Sequence, residues 1–251
     1  MKNIRMEEMN WVDIKEAIKK GYTSVVIGVG STEQHGPHLP TQTDAIVADI
    51  LANKVAMKLG NTLQAQTIRI GCSKHHLSFP GTISLEKDTL KAIIHDYVKS
   101  LSHHGFKRII FIPSHGGNFE PLTEIINEIQ PKYPDTKVIG YTDLTEFMNC
   151  TFKVAEDFGI GREEAGGHAG EVETSQMLSI KEEQVIKDRF QPGYVKPIDL
   201  NTQKLLFKKG MAVLSKIGVI GDPTRADKSR GKEYINKLVE HIVQTIENLS
   251  L

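Results

Sequence analysis

Residues 24–40 read SVVIGVGSTEQHGPHLP, an apolar run that passes directly into a polar, glycine-containing turn. A short run of apolar and β-branched residues is typical of a parallel strand buried on both faces, and we predict one over residues 24–29. Ligands of open α/β sheets bind beyond the carboxyl ends of the strands, which is where Glu33 lies. The stretch therefore predicts both the fold class and the edge of the sheet that carries function.

Three side chains in and after this turn are typical metal ligands. Glu33 and His35 are two positions apart, so in an extended chain they project to the same side. Carboxylate and imidazole suit a divalent ion such as Zn²⁺ or Mn²⁺. If Asp44 bridges, two ions share the cleft and favour hydrolysis, because paired ions about 3.5–4 Å apart generate hydroxide and bind the substrate oxygen. Asp44 also begins a predicted helix, where an aspartate is commonly an N-cap, and the two roles can coexist.

A second strand-to-turn segment, IIFIPSHGGN over residues 109–118, repeats this layout. We expect it to deliver His115 to the same edge of the sheet. Gly116 and Gly117 allow backbone N–H groups to approach a bound anion or a developing oxyanion. Together with Asn118 they are predicted to bind substrate, although tight turns use glycine for purely structural reasons as well.

The third segment is GGHAGEVETS, residues 166–175. His168 could complete a metal site or donate a proton during catalysis. Glu171 and Glu173 are two positions apart at the start of a helix, so they point along different faces and only one is expected to enter the cleft. Acidic residues in a first turn are also common simply because they favour the helix macrodipole.

The remaining pattern alternates between predicted strands and helices. We predict strands at residues 24–29, 67–70, 108–113 and 137–141, and helices at residues 10–20, 44–59, 86–104, 119–130, 144–157, 171–181 and 228–249. Such alternation requires crossover connections, which favour a mainly parallel sheet with helices on both faces. No linker or repeat divides the chain, so one three-layer α/β/α domain is expected over residues 1–251.

Composition limits the possible partners and location. The chain has 251 residues with 31 Lys and Arg and 31 Asp and Glu, a net charge of zero that argues against nucleic acid or an anionic membrane as partner. It has no apolar run of about 18 residues and no signal-like N-terminus. Cys72 and Cys150 lack a C-x-x-C spacing and are expected to be reduced thiols. We expect a cytoplasmic protein.

Together with FPGT at residues 79–82, these motifs resemble the creatininase (creatinine amidohydrolase) family, in that family's order and across about residues 20–225. The resemblance implies a three-layer α/β/α fold and a centre of two divalent ions, zinc, manganese or iron. It also implies a small-molecule substrate with a scissile non-peptide C–N bond. Family members are commonly hexameric, so we expect a homo-oligomer.

The resemblance also assigns roles to individual residues. It implies Glu33 and His115 as ligands of one ion, His35 as a ligand of the other, Asp44 as the bridge and Glu173 as the fifth ligand. Creatininase itself has a glutamate where this chain has Gly117, which is why Glu173 is expected to substitute. The loop with His76 and Phe79 borders the family's pocket, so both are predicted to contact substrate. Creatininase uses tryptophans near its pocket, whereas the single tryptophan here is Trp11, so a substrate other than creatinine is expected.

These features favour a metal-dependent hydrolase. Activated hydroxide would attack the carbonyl of a small cyclic or linear amide, as in a creatininase-type amidohydrolase or a deformylase, with His168 and Glu171 as catalytic candidates. The same centre could cleave a C–C bond of a cyclic diketone in inositol catabolism. A third possibility is a non-catalytic, metal-stabilised binding protein. Structural zinc sites are closed and often rich in cysteine, unlike this cluster of oxygen and imidazole ligands.

Overall fold

The computed structural model describes residues 3–250, which contain a four-stranded parallel sheet of order β2-β1-β3-β4. The strands are β1 (Ser24–Val29), β2 (Thr62–Gln64), β3 (Arg108–Pro113) and β4 (Lys137–Gly140). The two central strands pair along their whole length, from Ser24 opposite Arg108 to Val29 opposite Pro113. This register brings the carboxyl ends of β1 and β3 side by side.

Helices precede and follow the strands. They are α1 (Trp11–Lys19), α2 (Thr43–Leu59), α3 (Lys87–His103), α4 (Gly116–Ile129), α5 (Leu144–Asp157), α6 (Arg162–Ala165), α7 (Glu171–Lys181), α8 (Leu200–Lys209) and α9 (Lys228–Ser250). Across residues 3–250, every helix is too short or too polar to cross a lipid bilayer. Cys72 and Cys150 are free thiols, as expected from their spacing.

Alternating residues of the central strands face two separate apolar cores. Val25 and Ile27 of β1 are fully buried against α3 and α4, where they pack with residues such as Leu90. Val26, between them, points to the opposite face and packs in a second core with Leu51 of α2 and with α9. Burial on both faces explains why β1 is apolar without polar alternation. The three-layer α/β/α prediction is confirmed.

One predicted strand lies in the wrong place. We predicted it at residues 67–70, whereas β2 forms earlier, where the chain pairs with the start of β1. At residue 68 the chain makes only a single bridge, between Ile68 and Val29. Thr67 is held instead by a side-chain hydrogen bond of 2.9 Å to Asp49 Oδ1. An apolar run of three or four residues does not specify which part of the segment joins the ladder.

Helix α8 was not predicted at all. The segment Phe190–Asn201 shows no apolar period, and the helix begins within its last residues. Local signals for the helix are nevertheless present in the sequence. Asp199 caps its N-terminus by accepting a 2.7 Å hydrogen bond from Thr202 N, and Gly210 ends it with a φ of +88°.

Candidate metal centre

The predicted ligands come together at the carboxyl edge of the sheet. Glu33 and His35 lie on the loop after β1, and His115 lies two residues after the end of β3, as the N-cap of α4. Asp44 is the second residue of α2, whose N-cap is Gln42, so its side chain does not act as the N-cap. The carboxylate of Asp44 is almost fully buried and points into the cluster, which is consistent with a ligand.

Asp44 lies between two sets of ligand atoms. Its Oδ1 is 3.3 Å from His35 Nε2, and its Oδ2 is 3.4 Å from His115 Nδ1. On one side Glu33 Oε1 lies 3.2 Å from His115 Nδ1. On the other side Glu173 Oε2 lies 3.6 Å from His35 Nε2. The two oxygens of a single carboxylate therefore face two different groups of ligands, as a bridging ligand would.

Several of these buried atoms have no hydrogen-bond partner among the described residues. They are both Oε atoms of Glu33, His35 Nε2 and Asp44 Oδ2. Leaving such groups unpaired in the interior is costly, and a cation would satisfy them together. Ligand atoms of Glu33, His35 and Asp44 all lie within 4.8 Å of one another. The residues present thus fit a divalent metal site.

The imidazole rings of His35 and His115 are oriented by backbone carbonyl groups. His35 donates its Nδ1–H to Glu33 O at 3.1 Å, and His115 donates its Nε2–H to Cys72 O at 3.2 Å. Each ring therefore turns its other nitrogen towards Asp44. Metal-binding histidines almost always have such a partner on the second nitrogen, because it fixes the tautomer and the ring orientation.

The buried charges strongly perturb the protonation of the cluster. Burial alone would lower the pKa of His35, but the carboxylates of Asp44 and Glu173 outweigh it and raise the pKa to about 10. For His115, burial is likewise outweighed by Glu33, and the pKa rises to about 9. Burial raises the pKa of Glu173 to about 7. The cluster therefore attracts positive charge, whether as protons or as metal ions.

Glu171 and Glu173 point in different directions, as predicted, and Glu173 is the one that enters the cluster. Both oxygens of Glu171 are occupied elsewhere: Oε1 accepts from Arg230 Nε and from Ser175 Oγ, and Oε2 accepts from Tyr234 OH, each at 2.6 Å. These partners tie the start of α7 to α9. The prediction that Glu171 is catalytic does not fit this position, because its carboxylate faces away from the cleft and is fully hydrogen-bonded.

Gly117 occupies the position at which creatininase is expected to have a glutamate, and the surrounding atoms leave no space for a side chain there. A Cβ atom on Gly117 would overlap Cys72 O and would lie 2.6 Å from His115 Nε2. In this backbone a side chain at position 117 would therefore displace the imidazole that faces Asp44. Glu173 approaches from α7 instead, and Ala169 N donates a 2.5 Å hydrogen bond to its Oε2.

His168 is also buried in the cluster. Its Nε2 lies 2.7 Å from the backbone oxygen of Gln34, and its Nδ1 lies 3.6 Å from Glu33 Oε1. Burial and the neighbouring His35 hold the pKa of His168 well below its usual range. The neutral ring keeps its proton on Nε2 and presents a bare Nδ1, so it must accept a proton before it can donate one.

A cavity of about 300 Å³ opens beside the cluster. Its polar end includes His76, Gly116 and Gly117, three of the predicted substrate-binding residues. The other walls are mostly apolar and come from α4, α5, α7, α8 and the segments around them; they include Phe119, Phe147, Met148, Val172, Ile198, Leu206, Phe207 and Met211. No Lys or Arg among the described residues lines it.

Two predicted substrate-binding residues lie elsewhere. Asn118 is fully buried and holds the backbone together: its Oδ1 accepts from Cys72 N at 2.9 Å, and its Nδ2 donates to Gly30 O at 3.0 Å. Phe79 does not line the cavity but packs in a small apolar cluster with Leu206 and Met211. Both are therefore structural in this fold.

Sequence reasoning missed Gln34 and the apolar walls of the cavity. Gln34 is only 6% exposed and contacts both His76 and His168. Its position between two ligands was the signal available in the sequence. The walls from α8, such as Phe207, were missed because that helix was not predicted.

The chain matches the creatininase family, described as creatinine amidohydrolase, over residues 7–246. It belongs to this family. It is 32% identical over 233 residues to the mycofactocin precursor peptide peptidase of Mycobacterium ulcerans, covering 90% of this chain and 85% of that protein. It is 24% identical over 263 residues to the 3-dehydro-scyllo-inosose hydrolase of Thermotoga maritima, covering 98% of this chain and 83% of that protein.

The fold is similar to that of creatininase. A mutant creatininase of the Zn-Zn type aligns with a TM-score of 0.80 at 22% identity, covering 99% of this chain and 98% of that chain. The family is described as creatinine amidohydrolase and the Mycobacterium ulcerans relative is named a peptidase, so the chain belongs to a family of hydrolases whose named members include enzymes that cleave amide bonds.

Proposed function

We propose that this chain is a two-metal amidohydrolase. Glu33 and His115 would hold one ion, His35 and Glu173 would hold the other, and Asp44 would be shared between them. The observation that carries this proposal is the position of Asp44, whose two oxygens lie 3.3 and 3.4 Å from imidazole nitrogens on opposite sides. A single-ion site would not require the carboxylate to face two ligand groups.

The residues around the centre have separate roles in the proposed hydrolysis. Two divalent ions bound here would supply Lewis-acid activation of a water molecule and of the substrate carbonyl. His168 is placed to accept the proton of the attacking water on Nδ1 and to return it to the leaving nitrogen. Gly116 and Gly117 line the same end of the cavity and leave room for the carbonyl group to approach.

The cavity favours a substrate with a neutral, apolar group next to the scissile amide. Side chains such as Phe147, Met148 and Phe207 would contact that group, and within residues 3–250 no Lys or Arg lines the cavity beside them to pair with a distal carboxylate or phosphate. Apolar contacts add about 0.8 kcal/mol for each buried CH₂. Creatinine, small and polar, matches these walls poorly, whereas an apolar amino-acid amide or a short peptide matches them well.

The proposal is tested with protein reconstituted with zinc or manganese and a panel of amides. The panel contains amino-acid amides and dipeptides with apolar or acidic side chains, creatinine, an N-formyl amine and a cyclic 1,3-diketone. We expect chelator-sensitive hydrolysis with preference for apolar amides. Preference for the diketone would instead favour C–C bond cleavage.

The matched variants are Asp44→Asn and Asp49→Asn, both on α2. Asp49 binds Gln64 and Thr67 away from the cavity, so its variant should keep activity. Asp44→Asn should abolish it. Activity that survives both complete metal removal and Asp44→Asn would refute the proposal.

A further inference from the structure

Gln34 lies between two proposed ligands, but its side chain turns away from them towards two histidines. The amide is surrounded by four polar groups. Gly36 N donates to its Oε1 at 2.9 Å, and its Nε2 lies 3.1 Å from Gly218 O, 2.9 Å from His76 Nδ1 and 3.0 Å from His168 Nε2. This environment determines where the hydrogens must be.

The orientation of the amide is fixed at both ends. The Gly36 N–H requires an acceptor, so the atom facing it is the amide oxygen. The Gly218 carbonyl requires a donor, so the atom facing it is the amide nitrogen. The fit is close, because a Cβ atom on Gly218 would overlap Gln34 Oε1. A flipped amide would place two donors together at one end and two acceptors at the other.

Counting the available hydrogens then determines which ring nitrogen is protonated in His76 and in His168. His168 Nε2 lies 2.7 Å from the backbone oxygen of Gln34, so this nitrogen must carry a hydrogen and cannot accept one from the amide. The two hydrogens of the Gln34 amide are therefore left for Gly218 O and His76 Nδ1. His76 accepts at Nδ1, and its neutral ring carries its own hydrogen on Nε2.

We propose that Gln34 is a positioning residue that gives the two histidines different roles at the same carboxylate. His76 Nε2, which carries its hydrogen, lies 3.3 Å from Glu33 Oε1. His168 directs a bare Nδ1 at the same oxygen region, 3.6 Å away. The inference rests on the proposed function for its catalytic meaning, but the tautomers themselves follow from hydrogen-bond geometry alone.

The arrangement has consequences for the centre. The Nε2–H group of His76 lies beside the Glu33 carboxylate and favours its charged, metal-binding form, and loss of such a supporting contact usually changes metal affinity or activity about 10–100-fold. The bare Nδ1 of His168 stays available as a proton acceptor. The Gly218 carbonyl thereby influences the protonation of the two histidines through Gln34, without itself contacting the proposed metal ligands.

Nuclear magnetic resonance of histidine-labelled, zinc-loaded protein tests the proposal directly. Long-range ¹H–¹⁵N correlations distinguish an imidazole protonated at Nε2 from one protonated at Nδ1. Spectra of His76→Gln and His168→Gln identify the two sets of signals. We expect both rings to be protonated on Nε2 only. A His76 ring with its proton on Nδ1, or with two protons, would overturn the proposal.

The variant Gln34→Glu replaces the amide donor by an acceptor, so we expect the His76 proton to move to Nδ1 while His168 is unchanged. Zinc affinity should fall about 10–100-fold. Gln203→Glu is the matched control, since it adds the same charge at the cavity wall and should leave both rings as they are. An unchanged His76 tautomer in a folded Gln34→Glu protein would contradict the proposal. Absence of amide hydrolysis with the expected tautomers would refute only the proposed function.

Discussion

Arg230 of α9 donates its Nε–H to Glu171 Oε1 at a distance of 2.6 Å, at the first residue of α7. The Glu171 side chain is fully buried and that of Arg230 is 12% exposed. Tyr234, one turn further along α9, donates to the other oxygen of the same carboxylate. Arg230 and Tyr234 together fix the start of α7, and this also fixes the first turn of the helix, which carries Glu173.

The first prediction is that Glu171→Gln weakens the fold rather than the chemistry. Removing one partner of a buried pair leaves the other charge uncompensated and costs about 3–5 kcal/mol. Urea unfolding measures the loss. Glu164→Gln is the control, because Glu164 pairs with Arg225 at the surface and should cost under about 1 kcal/mol. Full stability with lost turnover would return Glu171 to the catalytic candidates.

Much of the fold and part of the site could be predicted because their signals are local. β1 and β3 are continuous apolar runs, and each ends in a turn with ligand-type residues. Parallel strands necessarily bring such turns to one edge, so the proximity of Glu33 to His115 followed from the fold class. The same reasoning placed Asp44 in the first turn of the next helix.

The features of the site that could not be predicted from the sequence depend on contacts between residues that are far apart along the chain. Glu171 and Glu173 both lie in the first turn of α7 but face different sides, and the packing of α9 determines that Glu171 is the one bound by Arg230. Asn118 and Phe79 occur in motifs near the site, but their side chains turn into the backbone and into an apolar cluster. Nothing local to those motifs indicates these directions.

The second prediction concerns the shared carboxylate. Asp44→Ala should lose both ions, whereas His35→Ala should keep one, because Glu33 and His115 still bind with Asp44. Elemental analysis after equilibrium dialysis against zinc gives the stoichiometry. Small and equal losses in the two variants would mean that Asp44 does not bridge.

The third prediction is that zinc affinity rises with pH. The raised pKa values, about 10 for His35 and about 9 for His115, mean that both rings hold protons in the metal-free protein at neutral pH. Zinc must displace these protons, and each one displaced makes affinity change about tenfold per pH unit. Affinity should therefore be at least about tenfold higher at pH 8 than at pH 7.

Competition with a chelator of known affinity measures this slope, and release of protons on zinc addition to a weakly buffered solution checks it independently. His35→Ala should have a shallower slope than the wild type, because it removes the ring with the highest pKa of the cluster. An affinity that does not depend on pH between 7 and 9 would contradict the assignment of both histidines as ligands.

The last prediction separates catalysis from metal binding at His168. His168→Ala should keep its ions, because the five proposed ligands remain, but lose about 10²–10⁴-fold in turnover, the usual contribution of a positioned acid or base. Since the ring returns its proton to the leaving nitrogen, amides with less basic leaving groups need that proton less, and their turnover should fall by a smaller factor.

The measurement compares the hydrolysis rates of two amides of different leaving-group basicity, and metal content is determined on the same samples. His104→Ala, at an exposed position after α3, is the control and should match the wild type. Loss of metal with equal inactivation towards both amides would mean that His168 is a ligand and not the proton carrier.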